Sequence, residues 1–212
     1  MKVIFNNHDA PRMVDQIREG LRTANQIDIA VSFVRCTGLQ LIIDDLRRFL
    51  ADGGTARVLT STYMGITQPD ALRTLLRLDG LAVRVQQSDT GFHPKMYLFN
   101  QRQAQCWIGS SNLSKGGIAS NLEANLLADN PQTVAEARRG FEKLWSRPDV
   151  FEIDTDWLDR YATAFRAQQP RPAIILPGFP GTTGPGLTPD ADDPVPNQAQ
   201  NEAMLRLAEL RQ

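Results

Sequence analysis

Four side chains with chemically useful groups lie in the stretch GFHPKMYLFNQRQAQCWIGSSNLSKGGIASNLEANLL, residues 91–127. One residue separates His93 from Lys95, Asn112 follows seventeen residues after Lys95, and Glu123 eleven residues after that. In a strand, residues i and i+2 project from the same face, so the imidazole and the ammonium are predicted to point to one place. Such a pair suits an anionic phosphoryl group, since the imidazole can attack phosphorus while the ammonium holds an oxygen.

The sequence Gly-Ser-Ser-Asn at 109–112 predicts a tight turn that adds donors to the same anion. We expect Lys95, Ser110 and Asn112 to bind phosphate, and the LSKGG segment after them to begin a short helix whose N-terminus favours anions. Glu123 is predicted to accept the second imidazole N–H of His93 and so fix its tautomer. Each feature taken alone also fits an ordinary turn or surface charge, and only the joint spacing favours a site.

Short apolar runs alternate with amphipathic stretches along residues 1–168, which predicts a mixed α/β domain with a largely parallel sheet and helices packed on it. KMYLFN and QAQCWIGS are joined by a short polar link and predict a hairpin. The strands are predicted at 2–5, 26–34, 56–62, 81–87, 95–100, 103–110 and 121–129, and the helices at 11–24, 37–54, 68–78, 133–146 and 154–168.

Composition narrows the class of protein. The formal net charge is −1, which gives no overall basic excess for nucleic acid, although a local patch can bind phosphates. The two cysteines, Cys36 and Cys106, have neither disulfide nor metal-ligand spacing, so no metal or cofactor is expected. With no apolar leader and no apolar run long enough for a membrane span, a soluble, cytoplasmic protein with no membrane partner is predicted.

The composition changes after residue 168. Residues 169–198 are rich in proline and glycine, which predicts a disordered linker. Residues 199–212 have helical periodicity and predict a short amphipathic helix.

The joint spacing resembles the phospholipase D superfamily, whose signature is H-x-K followed by four residues and Asp, then a G-S-x-N turn, with a downstream Glu in the nuclease branch. His93 and Lys95 match the first motif, Gly109, Ser110 and Asn112 match the second. Glu123 lies where that branch carries its glutamate. The usual Asp is replaced by Asn100, which brings the supporting role of that carboxylate into question.

The resemblance implies an α/β/α sandwich with a central mixed, largely parallel sheet, and a metal-independent reaction. In that reaction a histidine attacks the phosphodiester to give a phosphohistidine, and a second histidine protonates the leaving oxygen. The chain's other histidine, His8, has no lysine partner and is interpreted as a surface or capping residue. The second catalytic histidine is therefore expected from another copy, in a homodimer with a shared active site.

The short single-motif form favours a nuclease that cleaves DNA, with a role in defence or restriction. The tail, and the region STYMGITQPDALRTLLRL, resemble segments of helicase-fused nuclease domains, which implies a helicase or motor partner. Candidate groove residues are Arg35, Arg57, Arg84 and Lys115. Two alternatives stay open: a catalytically silent module that binds nucleic acid, motivated by Asn100 and the net charge, and a hydrolase of phospholipids or small phosphodiesters.

Overall fold

The computed structural model describes residues 2–6, 11–87, 91–101 and 103–168. The predictions for His8, the 169–198 linker and the 199–212 helix lie outside these residues. The strands are β1 (Lys2–Phe5), β2 (Gln26–Val31), β3 (Thr55–Ser61), β4 (Leu81–Gln86), β5 (Lys95–Asn100), β6 (Gln105–Gly109), β7 (Ala124–Ala128) and β8 (Val150–Glu152). The helices are α1 (Met13–Thr23), α2 (Cys36–Gln40), α3 (Ile43–Ala51), α4 (Pro69–Leu76), α5 (Pro131–Trp145) and α6 (Thr155–Gln168).

The strands form one mixed sheet in the order β1-β7-β6-β5-β2-β3-β4-β8, which confirms the predicted α/β class. The expectation of a largely parallel sheet needs correction, because only β2–β3 and β3–β4 pair in parallel. The other five pairings are antiparallel. The predicted hairpin of β5 and β6 is confirmed. The antiparallel pairings β1–β7, β2–β5 and β4–β8 join strands distant in sequence, for which the local alternation gave no signal.

Alternating strand residues place apolar side chains on both faces of the sheet. One face packs against α1, α2, α3, α4 and α6 in the larger core cluster. The other face packs against α5 through Val134, Phe141 and Trp145. The layers are therefore α/β/α, as the family resemblance implies.

The predicted helix 37–54 is wrong in one respect, because the structure divides it into α2 and α3. Ile42 between them has φ −126° and ψ −3°, outside the helical region. The carbonyl of Leu41 accepts a hydrogen bond of 2.6 Å from Nη2 of Arg18 on α1. A tertiary contact thus competes with helix continuation at a position where the apolar periodicity is uninterrupted.

Strand β8 was not predicted, because VFE is short and follows a long helix. It pairs with the β4 edge, with Val85 opposite Phe151. Among the described residues, no helix is long and apolar enough to cross a bilayer.

Candidate active site

Strand directions bring the four predicted residues to one edge of the sheet, called here the site edge. Because β5 runs antiparallel to both β2 and β6, the carboxyl ends of β2 and β6 lie beside the amino end of β5. The amino end of β7 joins them through its antiparallel pairing with β6. His93 and Lys95 lie at the start of β5, Asn112 follows β6, and Glu123 directly precedes β7.

Lys95 is the first residue of β5 and pairs with Val31. Its Nζ donates hydrogen bonds to Oγ of Ser32 at 2.7 Å and to the carbonyl oxygen of His93 at 3.0 Å. Burial lowers the pKa of Lys95, and the negative charge of Glu123 opposes that shift. The ammonium is therefore held in place by neutral acceptors, with a carboxylate near enough to favour its charged form.

His93 precedes β5, so the prediction that it shares a strand face with Lys95 is wrong. Its side chain is exposed at the site edge. Its ring lies edge-to-face with Tyr63, with 6.0 Å between centroids and an interplanar angle of 84°. The hydrogen bond from Lys95 Nζ to the His93 backbone carbonyl links the two residues directly.

The carboxamide of Asn112 is buried and fixed in orientation. Its Oδ1 accepts a hydrogen bond of 3.2 Å from the backbone N–H of Phe33, in the loop after β2. The two N–H groups of Nδ2 are then the part of the amide suited to a phosphate oxygen. The turn also requires Gly117, because a Cβ there would lie 2.3 Å from the carbonyl oxygen of Asn112.

Ser110 takes part in the sheet ladder. Its backbone N–H donates to the carbonyl of Ala124 at 3.1 Å, and its Oγ accepts from the N–H of Ala124 at 3.1 Å. These bonds extend the β6–β7 pairing by one residue. The predicted phosphate-binding role of Ser110 stays a prediction, with the hydroxyl already serving as an acceptor in the ladder.

Buried hydrogen bonds to Ser111 support the turn at 109–112. Tyr97 donates its phenol O–H to the carbonyl of Ser111 at 3.0 Å, and Asn125 Nδ2 donates to Ser111 Oγ at 2.9 Å. Burial raises the pKa of Tyr97 well above its usual range, and the charge of Glu123 adds to that shift. The phenol therefore stays protonated and keeps donating to the turn.

Glu123 is half-buried, and its charge acts on Lys95 and Tyr97. Its backbone carbonyl accepts from the N–H of Asn6 at 2.9 Å. In the part of the chain that the structure describes, no hydrogen bond joins its carboxylate to the His93 imidazole. The predicted tautomer-fixing role of Glu123 stays a prediction. The effect of Glu123 that has support is electrostatic, because its negative charge raises the pKa of Lys95.

Sequence reasoning missed Ser32, Phe33 and Tyr63, which reach the site edge from the loops after β2 and β3. The run QIDIAVSFV was interpreted as strand through residue 34, yet β2 ends at Val31. A signal was present, because the carboxyl ends of adjacent parallel strands are where α/β sheets gather binding groups. Ser32 directly after a buried apolar strand fits that rule.

Two of the four candidate groove residues, Arg57 and Arg84, bind other parts of the domain instead. Arg57 donates to Asp28 and Glu142 and lies 4.8 Å from the centroid of the Phe141 ring. Arg84 lies over the Trp145 ring and donates to its carbonyl oxygen. Arg35 and Lys115 remain beside the site segments, since Arg35 N donates to Leu113 O and Lys115 follows the turn.

Asn100, at the position of the family's usual aspartate, is the last residue of β5, at the opposite end from Lys95. Its Oδ1 accepts a hydrogen bond of 3.0 Å from Nη2 of Arg138 on α5. The residue is therefore remote from the site edge. No group of three or more His, Cys, Asp or Glu side chains able to hold a metal occurs within the described ranges.

An α/β/α domain with an imidazole, an ammonium and a carboxamide at one sheet edge is the arrangement expected of a phospholipase D-like domain. The chain belongs to that family: the family model described as "Cardiolipin synthase, PLD-like domain" matches residues 17–145. No curated protein matches the chain.

Solved structures share the fold at low sequence identity. NucT from Helicobacter pylori is 13% identical with a TM-score of 0.58, covering 72% of this chain and 98% of that one. Nuc from Salmonella typhimurium, a phospholipase D family member, is 14% identical with a TM-score of 0.58, covering 73% and 97%. Phosphatidylserine synthase from Haemophilus influenzae is 13% identical with a TM-score of 0.54, covering 78% and 45%.

Proposed function

We propose that this protein is a metal-independent phosphodiesterase that cleaves DNA through a phosphohistidine on His93. The observation that supports the proposal is that an exposed His93, an anchored Lys95 ammonium and an oriented Asn112 amide all belong to the site edge. Lys95 and Asn112 Nδ2 donate to the non-bridging oxygens and stabilise the charge that develops on them.

In the first step a nitrogen of His93 attacks phosphorus, forming a P–N bond as the P–O bond to the leaving group breaks. The leaving oxygen takes a proton from a second imidazole. In the second step that imidazole removes a proton from water, whose oxygen attacks phosphorus and breaks the P–N bond. The cycle ends with both imidazoles in their starting protonation states.

The chain has two histidines, so the second imidazole belongs either to His8 or to another copy's His93. We favour a two-fold homodimer in which both copies of His93 serve one site. The fold match to Nuc and NucT, each covered almost completely by this domain, supports a single-domain unit.

An exposed apolar row supports the dimer. Val3, Leu126 and Ile108 are in register across β1, β7 and β6, which puts them on one face. Their exposed fractions are 52%, 37% and 44%, and Phe5 on the same face is exposed to 52%. Contiguous apolar surface of this kind marks an interaction site.

The row continues into a groove of about 500 Å³ lined by Lys95, Met96, Ile108 and residues of α5, so it reaches the site edge. A second copy seated there would cover the row while bringing its own site edge close. We therefore assign this face to the dimer. The lipid alternative would instead put the same face against a membrane surface.

The central experiment is a DNA cleavage assay in excess EDTA. Wild type and His8→Ala are expected to cleave, and His93→Ala is expected to be inactive. Loss of wild-type activity with chelator would overturn the metal-independent route, and loss in His8→Ala would assign the second imidazole to the same chain.

Phospholipid and small model diesters assayed beside DNA test the lipid alternative. DNA binding without turnover on any diester would favour the catalytically silent module that binds nucleic acid.

The shared site has its own test. When wild type and His93→Ala subunits are mixed and allowed to exchange, activity is expected to fall as the square of the wild-type fraction, whereas independent sites give a linear fall. Leu126→Lys is expected to yield an inactive monomer by light scattering. Gln132→Lys, an exposed change on α5 away from the row, is the matched control. An active monomeric wild type would contradict the dimer.

A further inference from the structure

The short turn Tyr63–Gly65 after β3 lies beside the His93 ring and is used by no step of the proposed reaction. Tyr63 is in contact with the imidazole edge-to-face. Met64 next to it is exposed to 47%. Tyr63 therefore lies against the imidazole that is proposed to attack phosphorus, and the next residue in the chain carries an exposed apolar side chain.

The turn is built in a strained conformation. Met64 has φ 63° and ψ 4°, and Gly65 after it has φ 62°. A non-glycine residue in the left-handed region costs free energy and persists only where its surroundings determine it, which is common at ligand sites. Within the described residues, Met64 is the one non-glycine residue with positive φ.

Hydrogen bonds on both sides hold the turn rigidly. The Tyr63 N–H donates to Ser61 Oγ at 2.9 Å, and Thr67 Oγ1 donates to the Ser61 carbonyl at 2.6 Å. Thr67 is fully buried, and the N–H of Gln68 donates to the carbonyl of Val34 in the β2 loop at 2.9 Å. The turn is thus fixed to the same loop that positions the Lys95 and Asn112 side chains.

Tyr63 differs from the other two tyrosines in its surroundings. Tyr97 and Tyr161 both pack in the larger core cluster, and both donate their phenol O–H to a backbone carbonyl. Tyr63 belongs to neither core cluster, and its phenol has no hydrogen bond to a described residue. Its ring therefore lies outside the core, beside the His93 imidazole.

We propose that Tyr63 and Met64 form a nucleobase subsite, in which the Tyr63 ring stacks on the base of the nucleotide whose phosphate His93 attacks. The inference rests on the proposed function and names its substrate class. A nucleotide carries a flat heterocycle one sugar away from its phosphate, and aromatic side chains bind such faces without regard to sequence. A base engaged in this way is unpaired, so the substrate is single-stranded or locally opened nucleic acid.

The test compares an intact single-stranded oligonucleotide with one of the same length made of abasic residues. Tyr63→Ala is expected to raise KM on the intact strand about 5- to 150-fold, with a smaller effect on kcat. Tyr63→Phe keeps the π face and is expected to match wild type. On the abasic strand, wild type and Tyr63→Ala are expected to have equal KM, and wild type is expected to prefer single strands to duplex.

An equal effect of Tyr63→Ala on both strands would overturn the proposal and make Tyr63 a positioning residue for the imidazole. If no DNA is cleaved, the proposed function fails but the inference is still decided by binding, measured as fluorescence anisotropy of the two strands. Equal affinity of wild type for intact and abasic strands would then refute it. Thermal melting checks that each variant folds, and Tyr63→Leu replaces Tyr63→Ala if the smaller side chain unfolds the turn.

Discussion

Ser32 offers the sharpest test of how the site is built, because its only proposed role is to act through Lys95. Its Oγ accepts the 2.7 Å hydrogen bond from Lys95 Nζ. The residue directly follows β2 and is buried, with 7% of its surface exposed. Ser32→Ala removes that acceptor without adding bulk. Lys95 keeps its second acceptor, the His93 carbonyl oxygen.

A hydrogen bond to a charged group contributes about 1.5 to 3 kcal/mol. Because Lys95 retains one acceptor, we expect the lower end, which corresponds to a loss of about tenfold in kcat/KM. Removing an acceptor also disfavours the charged form, so the pKa of Lys95 falls further and the alkaline limb of the activity profile moves to lower pH. A purely structural defect would lower activity at every pH without moving that limb.

The assay is DNA cleavage in EDTA across a pH series, with Ser32→Thr as the variant that keeps the hydroxyl. A double-mutant cycle with Lys95→Met then measures DNA affinity, with His93→Ala present throughout so that no substrate is consumed. If Ser32 acts through Lys95, Ser32→Ala costs nothing once Lys95 is gone. An equal loss of affinity in both backgrounds, or an unmoved alkaline limb, would refute the reasoning.

Three further predictions follow from other contacts. Arg57→Met leaves the buried Asp28 carboxylate unpaired and is expected to lower the free energy of unfolding by about 3 kcal/mol or more in urea titrations, whereas adding Asp28→Leu should recover much of that loss. Asn100→Asp restores the family's usual residue at the far end of β5, and DNA cleavage is expected to stay within about twofold of wild type because local changes remote from a site are usually small. Burial lowers the pKa of Lys95 from its ordinary value, so activity that needs the ammonium should decline at a lower pH than an exposed lysine would give. Glu123→Gln should move that decline lower still, because it removes the charge that raises the pKa, and an alkaline limb that stays in place would show that Glu123 does not act on Lys95.

The fold elements with strong periodicity were predictable from the chain alone. Apolar spacing located α1, α4, α5 and α6 within a few residues, and β-branched runs located the central strands. The division between α2 and α3 was not predictable, because it depends on Arg18 reaching the Leu41 carbonyl from a distant helix. Strand β8 likewise owes its existence to pairing with β4 rather than to local preference.

By itself the sequence determined which chemical groups the site contains. The spacing of His93, Lys95, Asn112 and Glu123 was enough to indicate the family, because residue types and their spacing are visible in the sequence without the fold. Only the tertiary structure decided which backbone ends meet at the site edge, since antiparallel pairing and register depend on contacts between distant segments. That meeting brought Ser32 to the Lys95 ammonium and Tyr63 to the His93 ring. Neither contact leaves a periodic signal in the chain, because each joins a loop to a strand end more than twenty residues away.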